Sequence, residues 1–495
     1  MRRRTFLQAL AAAPLAGAAP LRVVDSRTGK PLSTRILIRA GEGGDAERDY
    51  VPPGAVETAI WRDRWFVAEG PIDLPPGDGY TFRVEHGTEY RPVKTSATSI
   101  ALERWIDMRR LGYASGDNHL HVPAGPLVRM MDAEGLDFGS SLEWWNGLNL
   151  KIPADADTSR VSVHDAEVEN AWGSVLLNGL RETLTIPWDA RRSNLAFVRE
   201  ARRQGALICY QGGWSREVLL DALLGSVDVV NVCNNNFHRY RFQPRAQDSN
   251  PLGVEGLPVY PNTAEGMMLL NMESYYRLLN CGLRLAAGAE SATGAKHTPA
   301  GYNRAYVRVG RKRTIGDFRE AWRRGRNFVT NGPMIFLTVD GTREPGDSIA
   351  LPAHGGEIAI RATAVCDQPL QSLEVLVNGE VVAAGVSGIE TRLPVRQGCW
   401  IAARATAEDR FLSDGELARY HTETGRGGEK PTRLRFGHTS PVFVTCAGSG
   451  ARVERSVREA RRMLDGFERF AHAAATEIWR AEILEALATA RAKLG

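Results

Sequence analysis

The feature that most limits how this chain can fold is a phrase repeated through its middle: helical periodicity, a glycine stop, then a short apolar run. Residues 199–205 end a helical stretch at Gly205 and lead directly into Ala206, Leu207, Ile208, Cys209 and Tyr210. Residues 216–224 precede 227–230 in the same way, and 273–281 precede 283–285. Glycine closes a helix because it enters the left-handed region without a steric penalty, and a short apolar run after it reads as a buried strand. Repetition of that unit predicts α/β layering with the chemistry at the strand ends, so the residues just past each run are the ones to inspect.

On either side the period changes. From 20 to about 108, short β-type runs are separated by turn residues such as Gly29-Lys30-Pro31, which predicts an N-terminal β-sandwich over 20–110. The α/β region occupies 111–333. After Pro333, alternating runs and turn signals such as Asn378-Gly379 predict a second β-sandwich over 334–450, with a long polar loop at 414–431. Residues 451–495 form a helical tail expected to break near Asp465-Gly466. A chain of 495 residues, 43% of them apolar, is long enough to bury several cores.

Residues 1–19 are of another kind. Arg2, Arg3 and Arg4, then Thr5-Phe6-Leu7 and small apolar residues to Ala16-Gly17-Ala18, have the form of a signal peptide of the twin-arginine type. Export to the periplasm or beyond is expected, with the mature chain starting near Ala19. The apolar run is shorter than the roughly 20 residues a spanning helix needs, and no later stretch qualifies, so no stable transmembrane segment is expected. The net charge of +4 includes those three arginines and is +1 without them. A near-neutral surface has no general pull on polyanions, which argues against nucleic acid as a partner. Six cysteines without a Cys-x-x-Cys pair are too few for a disulfide scaffold. Cys209, Cys233 and Cys281 read as buried and free, while Cys366, Cys399 and Cys446 leave room for one bridge after export.

The densest chemistry lies in Gly116-Asp117-Asn118-His119-Leu120-His121. Side chains alternate along extended backbone, so His119 and His121 share a face with Asp117 behind them. Two imidazoles from one strand end fix two positions around a divalent metal, although a bare His-x-His also occurs as two hydrogen-bonding histidines. Gly-Asp-x-His-x-His after a β-rich leader resembles the first metal motif of the polymerase and histidinol phosphatase (PHP) superfamily, in its CehA/McbA-like metallohydrolase branch, over roughly residues 112–333. The resemblance implies a distorted (β/α)7 barrel between the two sandwiches, with metals at the C-terminal ends of its strands.

It also implies roles residue by residue. Glu143 stands at the aspartate of the usual Asp-His pair and Trp144 at its histidine. Glu167, in Glu-Val-x-x-x-aromatic-Gly, is a ligand, with Ser174 where a histidine is usual. Gln211 replaces a strand-end histidine, Glu290 an aspartate ligand and Ala292 another histidine. The metal set is thus His119, His121, Glu167 and Glu290 around one divalent ion, zinc, manganese or iron, with Asp117 supporting it and a position open for water. Glu143 or His238 would move the proton. Trp144, Gln211, Asn234 and Arg239 would touch substrate, although core packing also explains Trp144, turn geometry Asn234, and a solvated loop Arg239 and Arg241. Glu143 and Glu290 are expected to face the cavity of the two histidines. The expected function is an exported metal-dependent hydrolase of ester, amide, carbamate or phosphoester bonds in a small-molecule or glycan-like substrate; the alternative is a non-catalytic protein that binds a glycan or polymer.

Overall fold

A computed structural model of the chain describes residues 20–40, 48–60, 63–75, 79–149, 157–245, 249–310, 313–422 and 428–495. The signal-peptide reading falls on residues 1–19 and lies outside the described residues. No described helix is long and apolar enough to cross a membrane.

The protein is a mixed α/β chain of several sheets. Helix Leu195–Gln204 packs Phe197, Val198 and Ala201 into the core and stops at Gly205 (φ 84°), which turns the chain into strand Leu207–Tyr210. Helix Ala264–Asn280 begins at Thr263, whose side chain accepts from Gly266 N (3.0 Å), and leads through Gly282 (φ 85°) to strand Ala286–Ala289. Between them helix Val218–Leu223 precedes strand Val229–Cys233. These three strands pair in parallel, as do Tyr113–Leu120, Phe138–Trp145 and Val161–Asn170. An antiparallel strand, Gly173–Asn178, joins the two sets.

No closed barrel forms among the described residues. The free side of Tyr113–Leu120, where a last barrel strand would pair, is occupied by Arg304–Arg308 running antiparallel to it. Ala286–Ala289 therefore ends the ladder, and side chains cover its edge. Trp322 Nε1 and Asn327 Nδ2 donate to Ala287 O (3.0 and 2.8 Å), and Ala287 N donates to Ser440 Oγ (2.9 Å). One parallel bridge, Leu120 with Thr293, ties the chain after that edge back to the first strand.

The same sheet, of sixteen strands, continues past residue 333. Asn327–Thr330 pairs with Leu434–Thr439, which leads on to Cys399–Glu408, Leu370–Val377 and Glu380–Gly385. A three-stranded sheet of Met334–Val339, Gly356–Val365 and Gly388–Val395 faces this extension across a core that includes Ile335, Ile358, Ile360, Val375 and Ile401. At the N-terminal end a six-stranded sheet around Thr34–Ala40 encloses Ile36, Ile38, Phe66, Phe82 and Val84. The stretch expected as a long loop contains helix Asp414–Ala418, started by a Ser413–Glu416 capping box. The tail is two helices, Glu454–Ala474 and Glu477–Leu494, so its break falls at 475–476 and not at Gly466. A Cβ on Gly466 would lie 3.2 Å from Leu252 Cβ and O, so this glycine serves close packing rather than a stop. All six thiols are unbridged.

Candidate metal centre

Strand Tyr113–Leu120 is buried along its length and ends between the two histidines, with His119 in it and His121 just past it, and both reach one point. His119 Nε2 lies 2.9 Å from His121 Nε2 and 3.2 Å from Glu167 Oε2, and His121 Nε2 lies 3.1 Å from the same oxygen. Ligand atoms about 2.0–2.1 Å from a tetrahedral ion stand roughly 3.3 Å apart, so the three donors are spaced as a metal would space them. They could hold a metal ion, and they are the one His/Cys/Asp/Glu group of that kind among the described residues.

The surrounding shell fixes these donors. His119 Nδ1 donates to Glu290 Oε2 (2.7 Å), which leaves Nε2 with its lone pair toward the other two. Glu290 Oε2 also accepts from Asn231 Nδ2 (3.0 Å), and Asn118 Nδ2 donates to Asn231 Oδ1 (3.1 Å). Gly288 makes room for that amide, since a Cβ there would stand 2.0 Å from Asn231 Oδ1. Ser174 Oγ donates to Glu167 Oε1 at 2.7 Å. Asp117 accepts from the backbone N–H groups of His119 (3.0 Å), Ser291 (3.2 Å) and Gly301 (2.9 Å), which pins the strand end to the loop after Glu290. Burial raises the Asp117 carboxyl to about 6 against those hydrogen bonds. Burial alone would push the His119 imidazole down, but Glu167 and Glu290 outweigh it and hold the group well above its ordinary value. Burial likewise pushes the Glu167 carboxyl up, and the two histidines more than reverse it. In this set the positive charge of one cation and the proton on His119 are alternatives.

The expected site residues separate into three places. His119, His121, Glu167, Glu290 and Asp117 come together, with Glu290 on the far ring nitrogen of His119, where it orients the ring rather than sharing the triangle of donors. Gln211 and Asn234 lie in an amide network behind Glu290: Gln211 Nε2 donates to Asn235 Oδ1 (2.8 Å), Asn234 Nδ2 to Gln211 O (3.1 Å), and Asn235 N to Glu290 Oε1 (3.5 Å). Glu143, Trp144, His238 and Arg239 go elsewhere. Register shifts between Ser140 and Trp144 turn Glu143 toward Thr183 Oγ1 (2.9 Å) and His164 Nδ1 (3.5 Å), not toward the two histidines. Trp144 is buried against Phe197 in the helical layer. Its neighbour Trp145 takes the inner side, its ring centroid 4.5 Å from that of His121. His238 pairs through Nδ1 with Thr298 Oγ1 (2.9 Å) in a cluster with Glu429 and Arg241; burial, reinforced by Arg241 and Lys296, pushes its imidazole well below the ordinary value. Arg239 is spent on Asp409 (2.9 Å) and Glu85 (3.2 Å).

Asn118, Asn231 and Trp145 carry weight that the motif comparison did not assign. For Asn231 the signal was present in the sequence as an amide inside an apolar strand, since a buried amide must find partners. No family model, curated protein or solved structure compared with the chain matches it.

Proposed function

We propose that the chain is an exported, metal-dependent hydrolase related to the PHP type, with an open α/β sheet in place of the closed barrel, working at a mononuclear centre. The observation that carries the proposal is the triangle of His119 Nε2, His121 Nε2 and Glu167 Oε2, buried and mutually 2.9–3.2 Å apart. When bound, a divalent ion such as zinc, manganese or iron supplies Lewis acidity to a water and to the scissile group. The protein's part is to keep His119 in one tautomer through Glu290, to hold Glu167 through Ser174, and to flank the centre with Trp145. Exposed Leu148 is the cross-strand partner of Trp145, and exposed Trp188 lies against Gly147 of the same turn, so apolar side chains stand next to Trp145. Arg239 is tied into ion pairs and is no phosphate clamp. Both features favour an ester, amide or carbamate with an apolar or ring-bearing part over a phosphoester.

The test is turnover of an ester, amide and phosphoester panel by protein reconstituted with each metal. Hydrolysis that disappears with chelator and returns with metal supports the proposal. Tight binding of a glycan panel without turnover, metal present, selects the non-catalytic binder instead.

A further inference from the structure

Trp145 is the register partner of Glu167 in a parallel strand pair, and of Leu148 across a two-residue turn. That turn is Asn146-Gly147, with φ of 49° and 84°, the two left-handed residues that a hairpin this tight requires. It is tied to the strand that carries Glu167: Asn146 N donates to Glu167 O (3.3 Å), and Glu169 N donates to Asn146 Oδ1 (2.8 Å). The backbone therefore fixes the indole against one donor of the triangle. The ring itself stands against a second, 4.5 Å from the ring of His121 between centroids.

The indole N–H held in this position has nothing to bond. Trp145 as a whole is half-buried, yet its Nε1 is enclosed and has no partner in the protein. The N–H thus lies on the protein side of the ring, where His121 stands, and the exposed part of the ring is carbon. Trp105, Trp214, Trp322 and Trp400 each donate Nε1–H to an oxygen. Trp65 and Trp172 also keep an unpaired Nε1, but both rings are 0% exposed, one beside Leu37 and Tyr240, the other against Phe467 and Phe470. Trp145 alone of these three stands beside ligand-type side chains. An enclosed donor without an acceptor is costly, and in a native protein it marks a binding or catalytic role or a bound water.

An indole N–H only donates, so it neither takes up the proton of a water nor supplies one to a leaving group. It can stabilise an oxygen that gains negative charge. When water adds to the carbonyl carbon of an ester or amide, the π pair of C=O moves onto the oxygen. The carbonyl then re-forms, the leaving group departs with its bonding pair, and a proton passes to it from the added water. Negative charge sits on that oxygen only between the two events, so a donor placed for it raises kcat and leaves KM nearly unchanged. A phosphoester is charged before it reacts, and a single neutral donor does not distinguish its ground state from its transition state.

We propose that Trp145 Nε1–H is the donor to the carbonyl oxygen of the substrate in the transition state, which makes the substrate a carboxylic ester, amide or carbamate. The assignment rests on the hydrolase reading and adds to it a catalytic residue and the atom that residue serves.

The experiment compares the metal-loaded unaltered protein with Trp145→Phe on the ester and amide panel. Phenylalanine keeps a ring against His121 and lacks the N–H. The expected result is a kcat lower by about 10²-fold or more, with KM within about threefold and metal per chain unchanged by elemental analysis. A second reading needs no variant: crystals of the metal-loaded unaltered protein soaked in phenylphosphonate, whose tetrahedral anionic group stands in for the charged oxygen, should show Nε1 about 2.8–3.0 Å from a phosphonate oxygen. Should Trp145→Phe fail to fold, that distance decides alone. Turnover that Trp145→Phe retains, or a change in KM alone, overturns the assignment and leaves the hydrolase standing. Phenylphosphonate bound away from Nε1, with only water on the N–H, does the same. No turnover by the metal-loaded unaltered protein overturns both.

Discussion

The metal triangle and a second polar cluster, the junction where Arg35 meets Glu85 and Glu134 while Arg239 and Arg435 share Asp409, are both largely buried and ask for opposite things. At the triangle, two imidazoles and a carboxylate turn electron pairs toward one another, so the cluster is complete only with a proton or a cation among them. At the junction, four guanidiniums, those three and Arg304, meet four carboxylates, those three and Asp367, and what is left over is N–H groups, since Arg35 and Arg435 each keep a buried Nη1 with no partner in the protein. Burial raises the stakes in both, because unmatched polar groups cost most where water is excluded. The difference is in what removing one residue leaves behind. A ligand lost from the triangle leaves a site that still folds with a proton in place of a metal. A carboxylate lost from the junction leaves buried cations with nothing to replace it.

The largest effect is expected at the triangle and should be confined to it. His121→Ala leaves two donors, and tight metal is expected to fall from about one per chain to none by elemental analysis, with little change in folding stability of the metal-free protein. Two or more tight metals in the unaltered protein would break the single-centre reading, because Trp144, Ser174, Gln211 and Ala292 offer no second set of strong ligands. At the junction the expected outcome is reversed. Asp409→Asn deprives Arg239 and Arg435 of their shared carboxylate and should cost about 3–5 kcal/mol in denaturant unfolding while leaving metal content unchanged. Equal stability of this variant would mean that the ion pairs are already screened by water.

A pH series sharpens the contrast next. His86 stands beside the junction, with Nδ1 donating to Ser33 O (2.7 Å), and burial, aided by Arg104 and Arg304, lowers its imidazole to about 4. The folded state therefore favours the neutral ring, and the unfolded chain, near 6.5, takes up the proton first. That contribution is full above about pH 6.5 and is lost as pH falls toward 4, a loss of roughly 3 kcal/mol for a group this buried. Stability of His86→Gln measured from pH 7 to 4 should decline less steeply than that of the unaltered protein by about this amount. Parallel curves would show that His86 is already solvated in the folded state.

How much of this was legible beforehand follows from which forces are local. Gly205 and the apolar run after it are a local signal, and helix, stop and strand stand where the period puts them. His119 and His121 share a face for a similarly local reason. Glu143 was misplaced because register shifts in its strand depend on the neighbouring strand, which no spacing in the sequence records. Glu290 was expected as a metal ligand, whereas it meets Nδ1 of His119 outside the triangle of donors, a placement that depends on a loop pinned by Asp117 at residues 291 and 301. Gly466 read as a helix break since the approach of Leu252 is a tertiary fact. The junction was unreadable for the same reason: Arg35, Glu134 and Asp409 are brought together only by the packing of three regions.

The smallest expected effect concerns Ser174, which stands where the resemblance calls for a metal-binding histidine. Its hydroxyl donates to Glu167 Oε1 at 2.7 Å while Oε2 of the same carboxylate faces the histidines, so it acts on the centre through orientation alone. Ser174→Ala leaves that buried oxygen one hydrogen bond short in both the loaded and the metal-free protein. Only the difference between the two states appears in affinity, and the expected loss is roughly tenfold, at the low end for partners that hold a ligand in place. Competition against a chelator of known affinity measures it, and Ser174→Thr, which keeps the hydroxyl, should recover most of the loss. Unchanged affinity in Ser174→Ala would mean that Glu167 is held by the packing of strands Val161–Asn170 and Gly173–Asn178. The triangle would then be as rigid as the junction and would differ from it only in sign.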